Sequence, residues 1–117
     1  MNKTRLMLET GTGTDLHGGD YTKAASRAVK DALSHSSLSF VRVLGIDKDR
    51  MPVQVTIGVT RPERVDPGAI AALLPVGAVE VHVTAGGLDV ADLEAGDFAV
   101  IASAAVEVFM PAKADGG

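Results

Sequence analysis

The stretch Glu9–Leu33, ETGTGTDLHGGDYTKAASRAVKDAL, decides the fold. Its first half holds four glycines, three threonines, two aspartates and a histidine. Its second half repeats small apolar residues at helical spacing: Ala25, Ala28, Val29, Ala32 and Leu33 form one stripe, the pattern of a helix buried along one face. Asp20 stands where an N-cap belongs. The expectation is a strand at Lys3–Thr10, a glycine-rich loop, and a helix over 20–35.

Outward from that unit the hydropathy pattern continues. SFVRVLGI (Ser39–Ile46) reads as a strand and DKDRMP as a polar turn. In VQVTIGVT (Val53–Thr60) the residues Val53, Val55, Ile57 and Val59 alternate with Gln54, Thr56, Gly58 and Thr60, the period of a half-buried strand. DPGAIAALLP reads as a short helix with Asp66 as cap, Pro67 in its first turn and Pro75 as stop. AVEVHVTA alternates again, GGLDVADLEAGD reads as a turn with one helical turn, and Phe98–Met110 is a long strand, apolar on both faces. The order β-α-β-β-α-β-β predicts a single α+β domain over 1–110, two helices on one face of a mixed sheet, with a flexible tail at 111–117. A strand apolar on both faces needs cover on both sides. A symmetric homo-oligomer is the simplest source of the second cover.

Composition bounds the function. The chain has 117 residues, 46% hydrophobic and 3% aromatic, so small aliphatic side chains build the core. A net charge of −4 argues against nucleic-acid binding through a broad basic surface. Absence of cysteine excludes disulfides and thiolate metal sites and suits a cytoplasmic location. No stretch approaches the ~18 apolar residues of a transmembrane helix, so no membrane partner is expected.

The glycine-rich stretch matches neither phosphate fingerprint. There is no Gly-Lys-Ser/Thr after a four-residue spacing, and Leu16 stands where the third glycine of a dinucleotide loop belongs. Its composition still suggests a ligand site. Glu9, Asp15 and His17 are the candidate acid–base groups, since clustered carboxylates and an imidazole can divide proton-transfer roles. Gly11, Gly13, Asp20, Thr22, Lys23 and Arg27 are candidates for holding an anionic ligand near a helix N-terminus. Arg61, stiffened by Pro62, is a candidate clamp from a second loop. The plain structural alternative is that the aspartates cap turns and the basic residues form a solvated flank. No metal or cofactor is expected, because His17, His35 and His82 lack zinc-site spacing.

The pattern Gly11-x-Gly13-x-Asp15-Leu16-His17-Gly18-x-Asp20-x-Thr22-Lys23-Ala24-Ala25-x-Arg27-Ala28 resembles a small bacterial and plant family without an established activity. IGVTRPERVD, LLPVGAVEVHVTAGGL and ASAAVEVF resemble it as well. LETGTGTDLHGGDYTKAA also resembles the strand–loop–helix start in the ring-opening amidohydrolases, the cyanuric acid hydrolase and barbiturase family. Those enzymes place three related domains around a pseudo-threefold axis, each contributing Lys and Ser. That resemblance implies a homotrimer here. Glu9 stands where that family carries Lys, and Thr84-Ala85-Gly86-Gly87 where it carries Ser-Gly-Gly. The resulting expectation is a protein that binds a small polar, cyclic-amide or anionic metabolite, with hydrolysis or proton transfer as its chemistry. The alternative is a non-catalytic trimeric ligand-sensing or structural module.

Overall fold

The computed structural model describes residues 4–35, 51–74 and 78–111. Strand β1 (Arg5–Asp15) leads to helix α1 (Tyr21–Ser34). Strand β2 (Pro52–Val59), a 3-10 turn (Pro62–Arg64) and helix α2 (Pro67–Ala71) follow. Strands β3 (Ala78–Ala85), β4 (Leu88–Asp92) and β5 (Asp97–Phe109) complete the domain. The sheet runs β1-β5-β2-β3, with β4 on β5. Among the described strands only β2 and β3 are parallel; the other pairs are antiparallel. This is the expected α+β domain with a mixed sheet. The anticipated strand at Ser39–Ile46 and most of the anticipated tail lie outside the described residues.

Two expectations are corrected. The strand does not stop at Thr10: β1 continues to Asp15, so Gly11 and Gly13 are strand residues rather than loop residues. The segment after Gly87 is not a helical turn. It is β4, which forms a hairpin with the N-terminal part of β5 in register Leu88↔Ile101 to Asp92↔Asp97. β5 pairs with β2 over Ser103–Val108 and with β4 over Asp97–Ile101, so β4 takes up the lane that β2 leaves. The chain crosses between lanes at Gly86–Gly87. There Gly87 has φ of 63°, and a β-carbon on it would overlap the Ile101 carbonyl oxygen.

The core follows the alternation. Val53, Val55, Ile57 and Val59 of β2 and Val100, Ala102, Ala104, Val106 and Val108 of β5 are buried beneath Tyr21, Ala24, Ala25, Ala28, Val29 and Ala32 of α1. Helix α2 contributes the buried Ile70 and contacts α1 and β3. Its cap is the expected one: Asp66 accepts from the amides of Gly68 and Ala69. Against the small residues of α1, Gly11 and Gly13 let the helix backbone rest on β1. A β-carbon on Gly13 would overlap the Ala24 carbonyl oxygen and Ala28 nitrogen and lie 2.7 Å from the Arg27 carbonyl carbon. On the edge of β1 away from β5, α1 side chains meet the strand backbone among the described residues. The Thr12 amide donates to Asp31 at 3.0 Å, and Arg27 Nη1 donates to the Thr14 carbonyl at 2.6 Å.

The opposite sheet face carries no helix among the described residues. Pairing places Thr10, Ala105 and Thr56 in one row and Thr12, Ser103 and Gly58 in the next, with Thr84 beside Gly58. These residues line a shallow trough of about 540 Å³. Leu8 and, toward the hairpin, Leu88 and Val90 are exposed large apolar residues. No helix among the described residues is long and apolar enough to cross a membrane.

Candidate functional site

The turn from β1 into α1 is short, Leu16–Asp20, and Gly18 and Gly19 take positive φ of 93° and 61° in it. Three carboxylates organise it. Asp15, at the end of β1, is the single buried charged residue described. Its Oδ2 accepts from the Asp20 amide at 2.9 Å. Asp20 caps α1 as expected, accepting from the Lys23 amide at 3.0 Å. Asp97, at the start of β5, accepts from the amides of Gly18 at 3.0 Å and Phe98 at 2.8 Å. Those two hydrogen bonds, the Phe98 amide's first, hold the Asp97 carboxyl below its usual pKa, with a smaller contribution from nearby His17. The protein's own carboxylates therefore take amides that the sequence made available to a ligand.

What remains open is the cationic side of the turn. Lys23 Nζ and Arg27 Nη1 each lie 3.8 Å from Asp15 Oδ1. Four residues apart on α1, they share one face. Both side chains are about half exposed, and Arg27 Nη1 is also engaged by the Thr14 carbonyl. Thr14, Asp15, Leu16, His17, Lys23 and Arg27 line a cleft of about 460 Å³. His17 Nδ1 sits 3.6 Å from Asp97 Oδ2 at its margin. Within the cleft lining the two cations face the one buried carboxylate of Asp15, and the Asp97 carboxylate stands beside His17 at the margin.

The other candidates are dispersed. Glu9 lies six residues from Asp15 along β1, about 20 Å at the usual strand rise, and pairs with Val106. It does not line the cleft. Gly11 and Gly13 lie under α1, and the close approach they permit is that of the helix. Thr22 Oγ1 accepts from the Asp66 amide at 3.0 Å and donates to the Arg64 carbonyl at 3.4 Å, joining α1 to the following turn. Arg61 is exposed beside that turn and also lies outside the cleft. Among the described residues no three His, Asp or Glu side chains converge as a metal would require.

Asp97 and a second polar cluster had no local signal in the sequence. Tyr21, 2% exposed, donates to Asp89 Oδ2 at 2.5 Å, and Thr60 Oγ1 reaches the same oxygen at 2.7 Å. Asp15 and Asp89 both pair with Val100, so they flank that residue on one row of the sheet. The pairing of residues some seventy positions apart is visible only once β4 and β5 are in register.

A family model described as a conserved hypothetical protein, Lin0512_fam, matches residues 5–108. The crystal structure of an FtsZ-like protein of unknown function from Nostoc punctiforme PCC 73102 superposes with a TM-score of 0.83. It shares 36% identity, over 96% of this chain and 99% of that one. No curated protein matches the chain.

Proposed function

The chain belongs to the conserved hypothetical Lin0512 family, and from that premise we propose that it binds a small anionic metabolite in the cleft between the end of β1 and the first two turns of α1. The observation that carries this reading is the pair Lys23 and Arg27, both held 3.8 Å from the buried Asp15 carboxylate. Asp15 orients the two cations, and each stays about half exposed. A carboxylate or phosphate entering the cleft meets preplaced charge, and charge-assisted hydrogen bonds are the stronger kind. A cyclic amide ionised at nitrogen offers the same chemistry.

The His17–Asp97 pair supports a second reading, in which the bound compound is also transformed. An imidazole beside a carboxylate is suited to proton transfer near neutrality. The resemblance to the ring-opening amidohydrolases supports a hydrolytic version and a trimer around a central axis. The departures at Glu9 and Thr84 argue for a nucleophile other than a Lys–Ser pair. The trough of Thr10, Thr56, Ser103 and Ala105, which no helix among the described residues covers, favours a homo-oligomer.

A thermal-shift screen with small carboxylates, inorganic phosphate and cyclic amides tests the binding reading. A ligand at a hundred times its dissociation constant stabilises the folded state by about 2.7 kcal/mol. The expected hit raises Tm in the wild type and loses its effect in Lys23→Ala. A screen without hits, or a hit indifferent to both Lys23→Ala and His17→Ala, would overturn it.

A further inference from the structure

The β4–β5 hairpin carries Asp89, Asp92, Glu94 and Asp97 and no lysine or arginine. Three of these are engaged within the chain. Asp89 binds Tyr21 and Thr60, Asp97 binds the Gly18 and Phe98 amides, and Asp92 accepts from the turn amides of Glu94 and Ala95. Glu94 makes no ion pair or side-chain hydrogen bond among the described residues. Beside it Leu93 is 91% exposed, the most exposed of the large apolar side chains among the described residues. The turn thus presents an apolar knob next to an unpaired carboxylate.

The cleft presents the complement. Leu16, 63% exposed, lies at its rim. Lys23 and Arg27 supply half-exposed cationic groups. We infer that the Leu93–Glu94 turn of one copy of the chain docks in the Leu16–Lys23–Arg27 cleft of a second copy. This rests on the reading of the cleft as an anion site and names its protein partner. Charge complementarity selects the occupant. The acidic turn repels an identical turn, which disfavours a contact pairing hairpin with hairpin. A turn-to-cleft contact joins two different surfaces, so each copy offers both halves, and its repetition gives a ring where the rotation closes and an open filament where it does not. Glu94 is then a carboxylate competing with a free anionic ligand for the same cations. Ligand binding and assembly oppose one another by linkage.

Sedimentation velocity on the full chain tests this at low and high ionic strength. Screening shortens from about 30 Å at 0.01 M to about 3 Å at 1 M salt, so the wild type is expected to associate at low salt and dissociate at high salt. Glu94→Lys and Lys23→Glu each are expected to weaken association about tenfold or more, and the two combined to restore it. Both sites are exposed, and unchanged circular dichroism verifies the fold of each variant. Leu93→Ser is expected to weaken association without altering its salt dependence. A wild type that stays monomeric at low salt, or assembly unaffected by Glu94→Lys, overturns the inference. Inorganic phosphate binding, measured by thermal shift on Glu94→Lys, separates the two readings. Retained binding with unaltered assembly removes the hairpin contact and leaves the ligand cleft standing. Lost binding in Lys23→Ala alongside restored assembly in the double reversal supports both.

Discussion

Gly13 of β1 and Ala28 of α1 meet backbone to backbone: a single β-carbon on Gly13 would overlap the Ala28 amide nitrogen. That contact sets how closely α1 lies on the sheet. It also determines where Lys23 and Arg27 emerge relative to Asp15, two residues farther along the same strand.

Gly13→Ala is therefore expected to push α1 away from β1. The obstruction is backbone, which has no rotamer to yield. The expected loss is about 3 kcal/mol, the upper part of the usual range for overpacking. Urea unfolding checks it, and Gly11→Ala, whose β-carbon would lie 3.0 Å from the Ala32 Cα, is expected to behave alike.

Asp15→Ala removes the acceptor of the Asp20 amide and the carboxylate between Lys23 and Arg27. An amide left without a partner costs about 1–3 kcal/mol. Stability is expected to fall by that amount in denaturant titration. Asp15→Asn keeps an acceptor and is expected to lose less.

Lys23→Ala is expected to leave stability within about 0.5 kcal/mol, as for most exposed substitutions. It is expected to weaken binding of a small carboxylate about tenfold, the equivalent of one charge-assisted hydrogen bond. Calorimetric titration of wild type and variant reads both affinities. Arg27→Ala is expected to lose binding and some stability together, because Arg27 also holds the Thr14 carbonyl.

Asp97 makes stability depend on acid. Its carboxyl titrates below an unfolded aspartate, near 3.9, because the Phe98 and Gly18 amides favour the charged form. Between the two pKa values the unfolded chain binds more protons, so stability rises with pH there. The contribution is complete above the unfolded value and is lost as pH falls through the folded one. Asp97→Asn is expected to flatten the dependence of Tm on pH in that acid window, and melting curves over that range measure it.

Tyr21→Phe deletes a buried hydroxyl that donates to Asp89. Thr60 still reaches the same oxygen, so the expected cost is about 1 kcal/mol. Equilibrium unfolding decides it; no loss would mean that Thr60 alone satisfies Asp89.

Elements whose signal is local were legible in the sequence. The alternation of β2 and β3, the caps Asp20 and Asp66, and the apolar stripe of α1 each depend on neighbours a few residues away, and each stands as read. The glycines were legible as sites of close approach. What approaches was not: at Gly11 and Gly13 it is α1, so a strand looked like a loop. Asp15, His17, Lys23 and Arg27 do share a cleft, as their spacing across one turn and one helix face permits. Glu9 does not, because an extended strand carries it about 20 Å away.

By itself the sequence determined the periodicities, the caps and the cationic flank of α1, all properties of short-range geometry. Only the tertiary structure decided that β1 runs on through its glycines, that β4 exists as a strand, and that Asp97 and Asp89 come to the head of α1. Those outcomes depend on which backbones lie within bonding distance, and the register of β5 between its neighbours sets that across most of the chain.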